Sequence, residues 1–233
     1  MRIRYTVINK KQARKAFKMK MNLPNKLSVL RLIMVPIFMV VMLLPTFTDF
    51  NPLVDVILTV AGAVLFIAAS FTDMLDGKIA RKYNLVTDFG KFLDPLADKF
   101  MVIGAMLCIL FVNRDNLAMF TIFFFALLIV VFRELAVTSI RLVAASSKEK
   151  VVIAANMLGK MKTVTQIIAI CAAILEPIII RAIGIALGEG SIPEWLLNYP
   201  PLTIVTMVLM AYLTIHSGIN YIVGAWKYLD SEK

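Results

Sequence analysis

DMLDGKIARKYNLVTDFGKFLDPLAD, residues 73–98, places Asp73, Asp76, Asp94 and Asp98, with Arg81, Gly77 and Gly90, between stretches apolar enough to cross a bilayer. A charged side chain costs about 2.5–3.5 kcal/mol at the centre of an inserted helix, so ionisable residues at membrane depth mark a site. The spacing orders them. Asp73, Asp76, Gly77, Ala80 and Arg81 fall at i, i+3, i+4, i+7 and i+8, one stripe of a single helix. Gly90, Asp94 and Asp98 form a second stripe at i, i+4 and i+8.

Around this run the chain reads as an all-α integral membrane protein. Its 233 residues are 60% hydrophobic and 17% charged, with a mean hydropathy of +0.84, too apolar for a typical soluble domain. Segments of about 20 apolar residues, enough to cross a hydrocarbon core of about 30 Å, are predicted at 27–46, 53–75, 92–112, 117–141, 160–182 and 201–226. Polar breaks fall at FTDFN (47–51), NRDN (113–116) and GEGSIPEWLLNYP (188–200), where Trp195 and Tyr199 suit an interfacial aromatic belt.

Basic residues set the expected orientation, because Lys and Arg are retained on the cytoplasmic side. Residues 1–31 hold ten of them. Lys78, Arg81, Lys82, Lys91 and Lys99 follow, then Arg141, Lys148, Lys150, Lys160 and Lys162, whereas Arg114 and Arg181 fall at the opposite face. Both termini and the acidic cluster are therefore expected in the cytoplasm. Residues 1–21 read as a basic juxtamembrane segment, either an interfacial helix or a tail, and 22–233 as the catalytic domain. The net charge of +10 serves anionic lipid and anionic substrate rather than nucleic acid. Cys108 and Cys171 lie in apolar runs and read as packing residues.

Four carboxylates from two neighbouring helices need a counter-charge, and divalent cations supply one. Oxygen-only ligands select Mg²⁺, then Mn²⁺ or Ca²⁺, since zinc and copper recruit His or Cys. The one His, His216, is distant in sequence and reads as a packing or interface residue. Two ions about 3.5–4 Å apart would clamp a phosphoryl or pyrophosphoryl group, and the absence of a side chain at Gly77 and Gly90 would allow a diphosphate close to the backbone. Close helix packing by small residues, which Gly77 and Ala80 could serve equally, is the preferred reading of two glycines taken alone, and the accompanying carboxylates reverse that balance.

The complete pattern D-x2-D-G-x2-A-R-x8-G-x3-D-x3-D is met at all eight positions. It resembles the signature of the CDP-alcohol phosphatidyltransferase family. That resemblance implies a six-helix membrane fold, a homodimer, Mg²⁺ or Mn²⁺, and transfer of a phosphatidyl group from a CDP-linked lipid to an alcohol with release of CMP. It further implies Asp73, Asp76 and Asp94 as metal ligands, with Asp98 completing the metal shell or acting as general base. Gly77, Ala80, Arg81 and Gly90 would line the cytidine diphosphate pocket. Asn25 and Arg31 would also contact the nucleotide, although Asn25 equally suits a helix cap and Arg31 a headgroup contact.

The acceptor is read from other residues. Arg133 and Arg141 lie eight apart on the fourth span and, with Lys160 and Lys162 on the fifth, supply cations for a phosphorylated alcohol. Arg133 could instead pair with Glu134. The strings NLPNKLSVLRL (22–32), GKFLDPLADK (90–99), VFRELAVTSIRLVAA (131–145) and GKMKTVTQ (159–166) resemble the bacterial branch of the family that uses CDP-diacylglycerol and glycerol 3-phosphate. Phosphatidylglycerol or inositol phosphate as acceptor, or a divalent-cation carrier, are the alternatives. A carrier path needs polar residues through its whole depth, whereas these carboxylates gather at one face.

Overall fold

The structure, a computed structural model, describes residues 22–48, 51–83, 85, 87–146, 157–188 and 191–226, without the side chains of Arg81, residues 144–146, Leu158 and Lys160. Six long helices alternate in direction: α1 (Leu23–Phe47), α2 (Pro52–Lys82), α3 (Asp88–Val112), α4 (Leu117–Ser146), α5 (Met157–Leu187) and, after the short α6 (Glu194–Asn198), α7 (Pro201–Ala225). All six are long and apolar enough to cross a membrane, and the chain is a multi-pass membrane protein. Within lipid only a helix or closed barrel satisfies every backbone polar group, so long apolar runs fold this way.

Side chains set the helix starts. Asn22 Oδ1 accepts from the Asn25 backbone N–H at 3.2 Å, Asn51 Oδ1 from Leu53 at 3.1 Å, and Thr87 Oγ1 from Gly90 at 3.0 Å; each satisfies one orphan donor of a first turn. The cap of α1 is thus Asn22, not Asn25. Gly188, at φ +98°, lies just beyond the last turn of α5, a conformation a side chain would resist.

Five of the six long helices are longer than the apolar segments at the charged end. The second was expected to stop at residue 75 and continues to Lys82, and the fourth runs to Ser146 rather than 141. Hydropathy registers where the chain is apolar, while the hydrogen-bonded ladder carries on through polar turns. Asp76, Gly77 and Ala80 ride on this extension of α2.

Two groups of three helices pack together. In one, α1 lies against both α2 and α3; in the other, α7 lies against α4 and α5, and contacts of α3 with α4 and α5 and of α2 with α5 close the seam. Val35, Phe38, Phe66, Met101, Ala105 and Cys108 fill the first group, with Phe123, Val130, Ala169, Ile170, Met207 and Met210 continuing the same buried core. Close approach depends on glycine at Gly104, where a Cβ would meet Met39 Sδ at 3.1 Å and Val35 Cγ1 at 3.3 Å. Cys108 is buried in this core, and both thiols are free.

Candidate active site

At one end of the bundle, α1 supplies the groups that draw the carboxylates together. Asn25, Ser28 and Arg31 occupy one stripe of α1 and are all buried. Arg31, with a side-chain exposure of 0%, contacts Asp73 Oδ1 through Nη1 at 2.6 Å and donates through Nη2 to Asp76 Oδ2. Ser28 Oγ donates to Asp94 Oδ1 at 2.5 Å and lies 3.5 Å from Asp76 Oδ2. Carboxylates from α2 and α3 therefore converge on a hydroxyl and a guanidinium of a third helix.

The remaining members of the run take different positions. Asp98 Oδ1 is buried with no partner among the described residues, while its carboxylate interacts electrostatically with Asp73, Lys162, Glu134 and Arg31. Asp88, also within the run, is 98% exposed and pairs with Lys91 at 3.0 Å. Gly77 and Ala80 are half-buried on α2. Gly90 is buried, and a Cβ there would lie 2.8 Å from Asn25 Oδ1 and 3.3 Å from Thr87 Oγ1. Its missing side chain makes room for Asn25, whose Nδ2 donates to Thr87 Oγ1 at 2.9 Å. Asn22 Nδ2 donates to the Leu85 carbonyl at 2.6 Å, a second tie between the start of α1 and the α2–α3 connection.

Across the seam lies a group of cations. Arg133 Nη1 reaches Glu134 Oε1 at 3.1 Å and its Nη2 donates to Ser217 Oγ of α7 at 2.9 Å. Lys162 Nζ, buried on α5, donates to the same Glu134 oxygen. Lys99 Nζ donates to Thr138 Oγ1 at 2.6 Å, joining α3 to α4. Arg141 is more exposed; its Nε donates to Tyr221 OH at 2.9 Å and its guanidinium lies 5.3 Å from that ring's centroid. Arg133 Nε is buried without a partner among the described residues.

Of the residues expected at the site, Asp73, Asp76, Asp94 and Arg31 form one interacting group through Arg31 and Ser28, and Asp98 lies within electrostatic reach of both Asp73 and Lys162, whereas Asn25 is bonded to Thr87 beside Gly90. Arg133 makes the Glu134 pairing named as its alternative. The side chains of Arg81 and Lys160, and residues 1–21, lie outside the described residues. Ser28, Thr87 and Glu134 were not among the expected site residues. Ser28 had a signal, since it falls three residues from both Asn25 and Arg31; Thr87 and Glu134 acquire their roles from neighbours distant in sequence.

Among the described residues, no three His, Cys, Asp or Glu side chains are placed so that together they could hold a metal ion. The donor chemistry nevertheless fits a hard divalent ion: the converging acids are all carboxylates, and Asp98 Oδ1 is an unpartnered acceptor. Arg31 would share Asp73 and Asp76 with such an ion. His216 is engaged elsewhere, 3.1 Å from Asn220 Nδ2 and stacked beside Tyr212.

Comparison with known proteins agrees with this architecture. Residues 21–228 match the family described as CDP-alcohol phosphatidyltransferase. The chain is 41% identical over 213 residues to the CDP-diacylglycerol–glycerol-3-phosphate 3-phosphatidyltransferase of Bacillus subtilis, covering 90% of this chain and 98% of that protein. It is 34% identical over 210 residues to the protein of the same name from Rickettsia bellii, covering 89% of this chain and 97% of that one. The Haemophilus influenzae protein of that name is 35% identical over 152 residues, 65% of this chain and 75% of its own. With the aspartate run at the junction of α2 and α3 and the six-helix bundle around it, the chain belongs to the CDP-alcohol phosphatidyltransferase family.

Proposed function

We propose that this enzyme transfers the phosphatidyl group of CDP-diacylglycerol to glycerol 3-phosphate, giving phosphatidylglycerol phosphate and CMP. The observation that carries the reading is that one helix bundle holds both a carboxylate group gathered by Arg31 and Ser28 and a buried cation group gathered by Glu134. A phosphorylated acceptor needs both, one for its hydroxyl and one for its phosphate. The names of the Bacillus and Rickettsia relatives, which align over nearly their full lengths, support the same substrates.

In this mechanism the acceptor's primary hydroxyl oxygen bonds to the phosphorus that bears the diacylglycerol, and the bond from that phosphorus to CMP breaks. Asp98 takes the hydroxyl proton, with Asp94 beside Ser28 in support. Arg133, Arg141, Lys160 and Lys162 hold the acceptor's phosphate. Gly77, Ala80, Arg81 and Gly90 line the cytidine diphosphate pocket, bordered by Asn25 and Arg31. Asp73, Asp76, Asp94 and Asp98 would hold Mg²⁺ or Mn²⁺, two ions in this reading, which when bound supply charge neutralisation of the diphosphate and the leaving CMP.

The working unit in this reading is a homodimer in a bacterial cytoplasmic membrane, with residues 1–21 against anionic headgroups, 22–233 forming the catalytic domain, and site and termini in the cytoplasm. Labelling of intact cells with an impermeant thiol reagent tests the orientation: Ser191→Cys reacts and Lys82→Cys does not, and the reverse pattern overturns it. Chemical cross-linking in membranes tests the dimer, which a monomer-only pattern excludes. The reaction is tested with purified protein, CDP-diacylglycerol and Mg²⁺ or Mn²⁺. CMP release with glycerol 3-phosphate, abolished by chelation, is expected. Turnover only with inositol phosphate or phosphatidylglycerol removes the acceptor assignment, and no CMP with any alcohol removes the enzymatic one.

A further inference from the structure

Glu134 is the one acid in contact with the cation group across the seam among the described residues, and its Oε1 accepts from both Arg133 and Lys162. The three side chains are 13%, 11% and 6% exposed, respectively. Two cations this close repel, and a buried ion without a partner costs several kcal/mol. One carboxylate oxygen therefore fixes the position of two cations, one from α4 and one from α5. Lys99 adds a third charge: it is held by Thr138, one turn beyond Glu134, and interacts electrostatically with that carboxylate.

The charge balance is informative. Arg133, Lys162 and Lys99 outnumber Glu134 and Asp98, the acids that face them, leaving a net positive charge of the sign that a phosphate monoester at pH 7 requires. The Nε of Arg133 is a buried donor without a partner among the described residues. Gly218 of α7 accommodates the stem of the same residue, since a Cβ there would lie 3.2 Å from Arg133 Cγ. On the other side, Lys162 interacts with Asp98. Glu134 thus anchors a chain of charges that runs from the unpartnered donor to the unpartnered acceptor, Asp98 Oδ1.

We infer that Glu134 is the positioning residue of the acceptor site: it holds Arg133 and Lys162 where they register the acceptor's phosphate, so that the acceptor's hydroxyl reaches Asp98. The inference rests on the proposed reaction and adds a residue that does not itself touch substrate. Its loss should impair acceptor binding selectively, because the CDP-lipid side of the site is built from α1, α2 and α3.

The test compares steady-state kinetics of wild type and Glu134→Gln, a variant that keeps the shape and removes the charge. The KM for glycerol 3-phosphate is expected to rise about tenfold or more, with kcat within about threefold and the KM for CDP-diacylglycerol unchanged. Glu134→Asp, which retains the charge on a shorter arm, should give an intermediate KM. The Glu134→Gln/Lys162→Met double variant should be no worse than Lys162→Met alone, as expected of residues acting as one unit. An unchanged KM overturns the inference, as does a lowered KM, which would make Glu134 a competitor of the phosphate. Equal losses for both substrates would mark a structural role and also overturn it. If Glu134→Gln does not elute as folded protein, Glu134→Asp decides alone, and a wild-type KM in that variant is fatal. Wild-type turnover separates the two levels: no CMP with glycerol 3-phosphate removes reaction and inference together, whereas normal wild-type turnover with a normal variant KM removes only the inference.

Discussion

Arg31 buries a full positive charge between two carboxylates, while Ser28 bonds a third on α3. Removing one member of a buried charge group leaves the others uncompensated, at a cost of about 3–5 kcal/mol. Arg31→Met is therefore expected to lower the thermal midpoint in detergent markedly, and Mg²⁺ should recover more of that loss than it adds to the wild type. An unchanged midpoint would contradict the counter-charge role. For Asp98→Asn we expect kcat to fall about 10²–10⁴-fold, the usual contribution of a general base, with normal membrane insertion. Near-normal turnover would sink the assignment. The aspartates were legible in the sequence because helical spacing gathers them on two stripes. Their contacts were not, since Ser28 lies 48 residues from Asp76 and 66 from Asp94, and Glu134 gains its importance only when α5 brings Lys162 alongside.

Helix by helix, the apolar segments located all six spans but not their length at the charged end, because periodicity and hydropathy both fade where a helix leaves the bilayer core. The site lies in that blind zone of α2. Glycines illustrate the same limit: Gly90, expected from its motif to line a diphosphate pocket, also accommodates Asn25 between α1 and α3, a neighbour 65 residues away in sequence. Gly90→Ala would press a Cβ to 2.8 Å from an amide already bonded to Thr87. At Gly62 the obstacle is Met42, whose Sδ and, at 2.8 Å, Cγ a Cβ would meet, but this is an unbranched side chain with three rotatable bonds and, among the described residues, no hydrogen bond to break. Gly90→Ala is therefore expected to cost about 1–3 kcal/mol, in the range of an overpacked site, and more than Gly62→Ala, as read by detergent melting of both variants. The opposite order would show that Asn25 yields freely.

For the whole molecule, the division into α1–α3 and α4–α5–α7 coincides with a division in the sequence, since the turn at 113–116 is the crossing point between the two groups. Each group is contiguous along the chain, so its main contacts form between neighbours. The groups that gather Asp73, Asp76 and Asp94 all belong to the first group, and the cations around Glu134 largely to the second. During synthesis the acidic half of the site is complete before Arg133 or Lys162 has been translated. The covalent link at 113–116 would then be dispensable. Co-expression of residues 1–113 and 114–233 as separate chains is expected to restore CMP release that neither fragment gives alone, and failure of two stably inserted fragments to do so would mean that the seam needs the tether. The catalytic centre would thus be a joint between two autonomous membrane modules, a place where an enzyme of this architecture can be divided, recombined or placed under the control of an induced association.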